Sequence, residues 1–207
     1  FTNEGGVGYS VRFLKNIIGL WLIQESRRQW KREGSAYSFS ELEELALQAE
    51  PLRSFIDPDA PEFTPPGDIP GRVREFCRRT GQPVPETVGQ VVRCLYESLA
   101  LKYRFALEQL GRATGQNFSC LHIIGGGTQA KLLCRMTADS IGMPVVAGPI
   151  EATALGNILI QLVALDELKN LDEGRALIAR TEPVQRYEPE QTALWNRAYE
   201  TYKTILN

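Results

Sequence analysis

The residues with the clearest chemical use lie in LHIIGGGTQ, Leu121 to Gln129, where three consecutive glycines separate a short apolar run from a helix start. Strand, glycine turn and helix N-terminus are the parts of a phosphate or nucleotide contact. Glycine allows positive φ and leaves the main chain bare, and the helix points free N–H groups back at the turn. The spacing matches neither of the best-known loops. GxGxxG fails because Thr128, Gln129 and Ala130 follow Gly127, and GxxxxGK[ST] does not occur. At this level a plain strand-to-helix turn that needs small residues for packing explains the glycines equally well.

The other candidates are weaker. His122, the only histidine, sits in the apolar run, where alternation points it away from Leu121 and Ile123. It reads as a hydrogen-bonded structural histidine. Glu151 follows Pro149 and is expected to stabilise a helix start. The pairs Glu43 with Glu44 and Asp172 with Glu173 read as exposed helix faces. Cys77, Cys94, Cys120 and Cys134 include no CxxC pair, and a single histidine cannot complete a zinc set. Cys77 and Cys94 flank a turn-rich segment and could meet, but buried free thiols are the favoured reading in a reducing compartment.

The elements that must position the turn follow from periodicity. Gly8–Phe13 predicts a brief strand, and FTNEGGVGYS before it offers no evident strand or helix entry. Ile17, Ile18, Trp21, Leu22 and Ser26 fall on one stripe of a helix expected from Leu14 to about Gln29. Ser40 followed by Glu43 has the spacing of a capping box for the next helix, which carries Leu42, Leu45 and Ala46. FIDPDAPEFTPPGDIP holds five prolines, which forbid regular structure over most of its length. A loop this long implies function or tight packing onto a neighbour. Asp68 is expected to cap a helix ending near Gly81. Val88, Val92, Leu95, Leu99, Tyr103, Ala106 and Leu110 mark a long helix from about Glu86 to Ala113. Then come strand Leu121–Ile124, the glycines, a helix from about Gln129 to Ile141 and a strand in MPVVAGP. From Glu151 onward the chain reads as helical. The alternation around Gly125 predicts an α/β layer with at least two parallel strands.

The bulk numbers exclude several classes. The 207 residues carry 43% hydrophobic and 23% charged residues, the composition of a globular protein. The net charge of −2 gives no electrostatic case for nucleic acid or an anionic membrane. No apolar run approaches the roughly 20 residues needed to cross a bilayer, and no signal segment opens the chain. The expected location is cytoplasmic. Phe1 reads as the middle of a longer polypeptide, of which this chain would be the C-terminal part.

The segment LHIIGGGTQAKLLCRMTADSIGMPVVAGPIEATALGN resembles the adenosine-binding segment of the FGGY family of carbohydrate kinases, which shares a superfamily with actin and hexokinase. TNEGG, LKNIIGLWLIQ, FIDPD, PGDIP, TGQPVPET, SLALKYR and AGPIEATALGN extend the likeness over nearly the whole chain. Within the family the resemblance is to the C-terminal domain of the kinases of L-rhamnulose. It implies an α/β, actin-like ATPase (ribonuclease H-like) domain, helix-rich with a small mixed sheet. Residues 1–207 would form the C-terminal nucleotide-binding domain, partnered by an N-terminal kinase domain.

The resemblance also implies roles. Gly126 would be the central ATP contact, Gly125 and Gly127 would shape the turn, and Gln129 would lie beside them in the nucleotide site. Gln24 aligns with an ATP-binding glutamine and Asn16 with a sugar-binding residue; without the family both read as ordinary solvated amides. On one helix they would share a face about 12 Å apart along the axis. Two positions depart from the family pattern, because Ala130 and Cys134 stand where asparagines are common. An amide lost from the base is worth about 1 kcal/mol. The implied reaction is phosphoryl transfer from ATP, with Mg2+, to the first-carbon hydroxyl of L-rhamnulose. A kinase of another ketose and a non-catalytic actin-like nucleotide-binding module are the alternatives. No D-x-G-x-[ST] pattern occurs, so no catalytic base is assigned within these residues and the chain alone is expected to be inactive.

Overall fold

The computed structural model describes residues 1–206; Asn207, the last residue of the expected domain span, lies outside them. Its axis is the 27-residue helix α4, Val88–Thr114, for which the sequence reading asked from the spacing of Val88 through Leu110. Thr87 caps it by accepting the Gln90 N–H, while the Gln90 side chain accepts from the Thr87 N–H in return. Gly115 ends it in the left-handed conformation, a common C-terminal stop. Helices α1 (Trp21–Arg32), α2 (Phe39–Gln48) and α3 (Ile69–Arg79) pack around its first half. α2 comes so close that a Cβ on Gly89 would lie 2.3 Å from the Leu45 carbonyl oxygen, so only glycine fits there. Leu22, Ile23, Leu42, Phe63, Val73, Leu95 and Leu99 are fully buried in this core, at about 1.5–3 kcal/mol each for the larger side chains.

The second half of α4 faces α5 (Lys131–Ile141) and α8 (Thr192–Lys203). Beyond α5 lies a three-stranded sheet in the order β3 (Leu121–Ile123), β4 (Val145–Ala147), β5 (Gln185–Tyr187). β3 and β4 run parallel with His122 opposite Val146, and β4 and β5 run antiparallel. The small mixed sheet and the parallel pair are thus present. Helices α6 (Ala152–Ala164) and α7 (Leu171–Thr181) follow β4.

Four local expectations need correction. FTNEGGVGYS does enter a strand: β1, Thr2–Gly5, pairs antiparallel with β2, Val11–Leu14. The region after Glu151 is not wholly helical, because β5 interrupts it. The capping box of α2 is Ser38 with Glu41, two residues before the pair read from sequence. Helix α1 starts at Trp21, not Leu14. The backbone before it is tied elsewhere, the Ile18 N–H donating to Asp59 Oδ1 at 3.0 Å, and Gly19 is a poor helix former.

Up to Asp68 the proline-rich stretch lacks regular structure except for a short 3-10 turn at Pro61–Phe63, as its prolines require, and its last two residues open α3. It is anything but loose, since Ser54, Phe55, Ile56, Asp57, Ala60 and Phe63 are buried. One polar stripe of α4 supplies what its backbone lacks. Glu97 accepts the Leu52 N–H with both oxygens at 3.0 and 2.9 Å, Ser98 accepts the Ile56 N–H at 2.9 Å, and Lys102 binds Asp57. Arg93 pairs with Glu97 at 2.7 Å and donates to the Ala46 and Ala49 carbonyls at the end of α2.

Burial pushes the Glu97 carboxyl up from 4.5 to about 7, against the opposing pull of the Leu52 N–H and of Arg93. The folded state then holds this proton more tightly than the unfolded chain. Its contribution to stability is full below pH 4.5 and disappears as pH rises through about 7. Thermal melts of wild type and Glu97→Gln between pH 5 and 8 are expected to show a decline that the variant lacks. Parallel pH profiles would count against it.

All four cysteines are free thiols. Cys77 and Cys94 do meet: a hydrogen bond to Cys77 and complete burial hold the Cys94 thiol well above its usual range.

Candidate functional site

The glycine turn forms where β3 ends. The Gly125 N–H donates to the Pro149 carbonyl at 3.0 Å, and the Gly148 N–H returns a bond to the Ile123 carbonyl at 2.9 Å. The turn is thereby stitched to the chain leaving β4, the start of the GPIEATALGN segment. Gly125–Gln129 wind into a 3-10 turn, closed by the Thr128 hydroxyl on the Gly125 carbonyl at 2.8 Å. Cys134 sits beneath, its thiol 3.8 Å from the Gly127 carbonyl.

The glycines have different reasons to be glycine. Gly125 takes φ +75°, which an L side chain rarely adopts. A Cβ on Gly127 would make ordinary contact with Ile123 Cγ2 at 3.6 Å. Gly126 needs neither allowance. It has no positive φ, and an added Cβ would meet no described atom within 4 Å. Internal packing therefore does not explain Gly126, and its main chain is open to the outside.

The N-terminus of α5 departs from the sequence expectation of open N–H groups facing the turn. Glu43 of α2 lies beside the Leu132 N–H there, and its carboxyl is raised by burial against the pull of that N–H and of Lys131. Glu43 is thus partly buried rather than on an exposed face. A carboxylate already facing this helix end disfavours a phosphate, so the turn suits an uncharged part of a ligand. Glu44, Asp172 and Glu173 are exposed, as expected.

Asn16, Gln24 and Gln129 are all exposed, and among the described residues none of their side chains makes a hydrogen bond, so all three amides are free to receive a ligand. Their placement corrects the single-helix picture. Asn16 precedes α1 and lies in the irregular segment after β2, whereas Gln24 lies in the first turn of α1. Lys15 and Ile17, on either side of Asn16, line a cavity of about 360 Å3 that also reaches His122 and Gly127. Gln24 lines another, of about 460 Å3, with Arg27, Arg28, Lys31, Tyr37 and Phe39. The basic wall of that second cavity was not singled out from the sequence, although Arg27, Arg28 and Lys31 recur at helical spacing from Gln24.

Other candidates resolve simply. His122 does point away from Leu121 and Ile123, but it is exposed and its ring has no hydrogen-bond partner among the described residues, because β3 borders the open cavity. Glu151 precedes α6 without a capping hydrogen bond. Cys134 is fully buried with Ala138, Val145 and Ala147, and so packs under the turn. No group of three or more His, Cys, Asp or Glu among the described residues could hold a metal ion. No helix among them is long and apolar enough to cross a membrane.

This fold recurs in solved sugar kinases. A xylulose kinase from Lactobacillus acidophilus superposes with a TM-score of 0.63 at 15% identity, covering 91% of this chain and 37% of that one. A Plasmodium falciparum glycerol kinase, solved with ADP, gives 0.55 at 19% identity over 88% of this chain and 37% of its own. The fold is that of the actin-like ATPases. Residues 1–165 match the C-terminal domain of the FGGY family of carbohydrate kinases, and the chain belongs to that family. A rhamnulokinase from Bacteroides thetaiotaomicron is 47% identical over 206 residues, covering 100% of this chain and 42% of that protein. The chain spans about two fifths of the length of the curated relatives it matches.

Proposed function

We propose that residues 1–207 are the C-terminal nucleotide-binding domain of a kinase that transfers phosphate from ATP to the first-carbon hydroxyl of L-rhamnulose, within a longer polypeptide supplying the N-terminal domain. The observation that carries the sugar is the 47% identity to a protein named rhamnulokinase along the entire chain. The open main chain at Gly126 supports the nucleotide. In this reading the adenosine lies on Gly125–Gly127 with Gln129 beside it, Gln24 reaches the nucleotide from α1, and Asn16 holds the sugar. The turn's fit to an uncharged nucleoside leaves the polyphosphate to groups outside this chain. Mg2+ would assist those phosphates, and the described residues offer no carboxylate cluster for it, so no step is assigned to it. The departures at Ala130 and Cys134 act differently: Cys134 lies under the turn, whereas Ala130 borders it and is where adenine preference would loosen.

A phosphorylation assay of the full-length enzyme across several ketoses tests this reading. L-rhamnulose is expected to have the highest kcat/KM, by roughly tenfold or more, the margin one well-placed polar contact gives. A preference for another ketose would move the assignment within the family, and no turnover with any sugar would favour a non-catalytic nucleotide-binding module. The isolated chain is expected to show no turnover.

A further inference from the structure

The FIDPD stretch has no part in the nucleotide reading, yet it carries a buried charge cluster. Lys102 of α4 is 4% exposed. Its ammonium lies 2.6 Å from Asp57 Oδ1 and 3.0 Å from Asp59 Oδ2. The two aspartates are joined by the Asp59 N–H, which donates to Asp57 Oδ1 at 3.1 Å. The second oxygen of Asp59 points out of the cluster and accepts the Ile18 N–H at 3.0 Å.

That last bond reaches the irregular segment carrying Asn16. Between the end of β2 at Leu14 and the start of α1 at Trp21 no ladder or helix holds the chain, so its course depends on side-chain anchors. Two are present. Lys15 donates to Gln109 Oε1 at 3.0 Å, and Asp59 takes the Ile18 N–H. Asn16 lies between them. Both anchors rest on α4, Gln109 directly and Asp59 through Lys102. The exposed Asn16 amide is therefore held in place by main chain that α4 fixes on either side.

We propose that Asp59 and Lys102 are positioning residues for the sugar, acting through the Ile18 main chain on Asn16. The proposal rests on the reading of Asn16 as a sugar contact. A lost Ile18 anchor frees the segment and weakens sugar binding, while the glycine turn, held by Pro149 and Ile123, is unaffected. The burial of Lys102 ensures that Asp59 presents one oxygen inward and the other to Ile18.

Steady-state kinetics of the full-length kinase separate the possibilities. Asp59→Ala is expected to raise KM for L-rhamnulose roughly tenfold, the effect of one charge-assisted hydrogen bond, with kcat and KM for ATP within about twofold because binding alone is lost. Asp59→Asn keeps an oxygen for Ile18 and is expected to recover most of the affinity. Asn16→Ala alone should raise the sugar KM, and adding Asp59→Ala to it should cause little further change, since both act through one contact. If Asn16→Ala leaves the sugar KM unchanged, the reading of Asn16 fails. If Asn16→Ala raises it but Asp59→Ala does not, or the two effects multiply, the positioning role is overturned. Should Asp59→Ala not fold, Asp59→Asn decides: an asparagine variant with a tenfold weaker sugar KM contradicts the proposal.

Discussion

Replacing Gly126 by valine in the full-length enzyme is expected to nearly abolish ATP binding, by about 100-fold or more, while leaving L-rhamnulose affinity and the fold intact. The magnitude follows from excluding a flat ligand from the main-chain surface proposed for it, a steric loss of about 3 kcal/mol, comparable to overpacking a filled core. The absence of a folding defect follows from the geometry, since a Cβ at Gly126 meets no described atom within 4 Å and no positive φ has to be accommodated. Gly125→Ala supplies the contrast. Its φ of +75° predicts a loss of about 1 kcal/mol in stability. Isothermal titration and thermal melts of both variants distinguish the two reasons for glycine. A Gly126→Val protein that melts early, or that binds ATP normally, contradicts the account.

Lys102→Met is expected to destabilise the protein by about 3–5 kcal/mol, the cost of leaving a buried carboxylate without its partner. Asp57 is the more exposed to this loss, since its side chain keeps only 10% of its surface and Lys102 lies 2.6 Å away. Asp59 retains 26% and can regain water. The two carboxylates are felt nearby: burial first, and then the charges of Asp57 and Asp59, push the Tyr202 hydroxyl far above its ordinary value, and that hydroxyl has no partner among the described residues. Removing the one ammonium that, among the described residues, touches both aspartates leaves their charge uncompensated. Urea unfolding measures the loss. Adding Asp57→Asn to Lys102→Met should recover part of it, because the orphaned charge is gone. A loss below about 1 kcal/mol would place this pair among ordinary exposed ion pairs and remove the basis for treating it as an anchor.

Where a local pattern, a long apolar stripe, a capping residue or an apolar run, decides the element, the sequence was legible. The Val88–Leu110 stripe announced α4, Asp68 announced the start of α3, and the apolar run before the glycines announced β3. The failures share a cause, namely that long-range partners decided the local outcome. TNEG has no apolar alternation, and it becomes a strand because Val11–Leu14 lies alongside it. Ile17 and Ile18 fit a helical stripe, but the Ile18 N–H goes to Asp59, forty-one positions away, and the helix waits until Trp21. Ser38 and Ser40 both precede an acid by three residues, and burial of Leu42 and Ala46 suits the earlier start. Glu43 looked like a solvated acid because nothing local reveals that α5 begins against it.

The site was legible to a different degree. The glycine triplet was visible as a turn, but whether its glycines serve packing or a ligand depends on what surrounds each one. Only the open space at Gly126 separates those reasons. Asn16 and Gln24 were named through resemblance, and their spacing misled. Eight positions along a helix would have placed them on one face, whereas the structure puts one before the helix and one within it. The clamp formed by FIDPD and Lys102 had no local signal, since its members lie forty-odd residues apart and meet through folding.

A crystal structure of the full-length protein with ADP tests the central claim most directly. The account predicts the adenosine resting against the backbone of Gly125–Gly127, with its phosphates directed away from the start of α5, beside which Glu43 lies. An ADP bound elsewhere, with the glycine turn covered by the protein's own side chains, would contradict it.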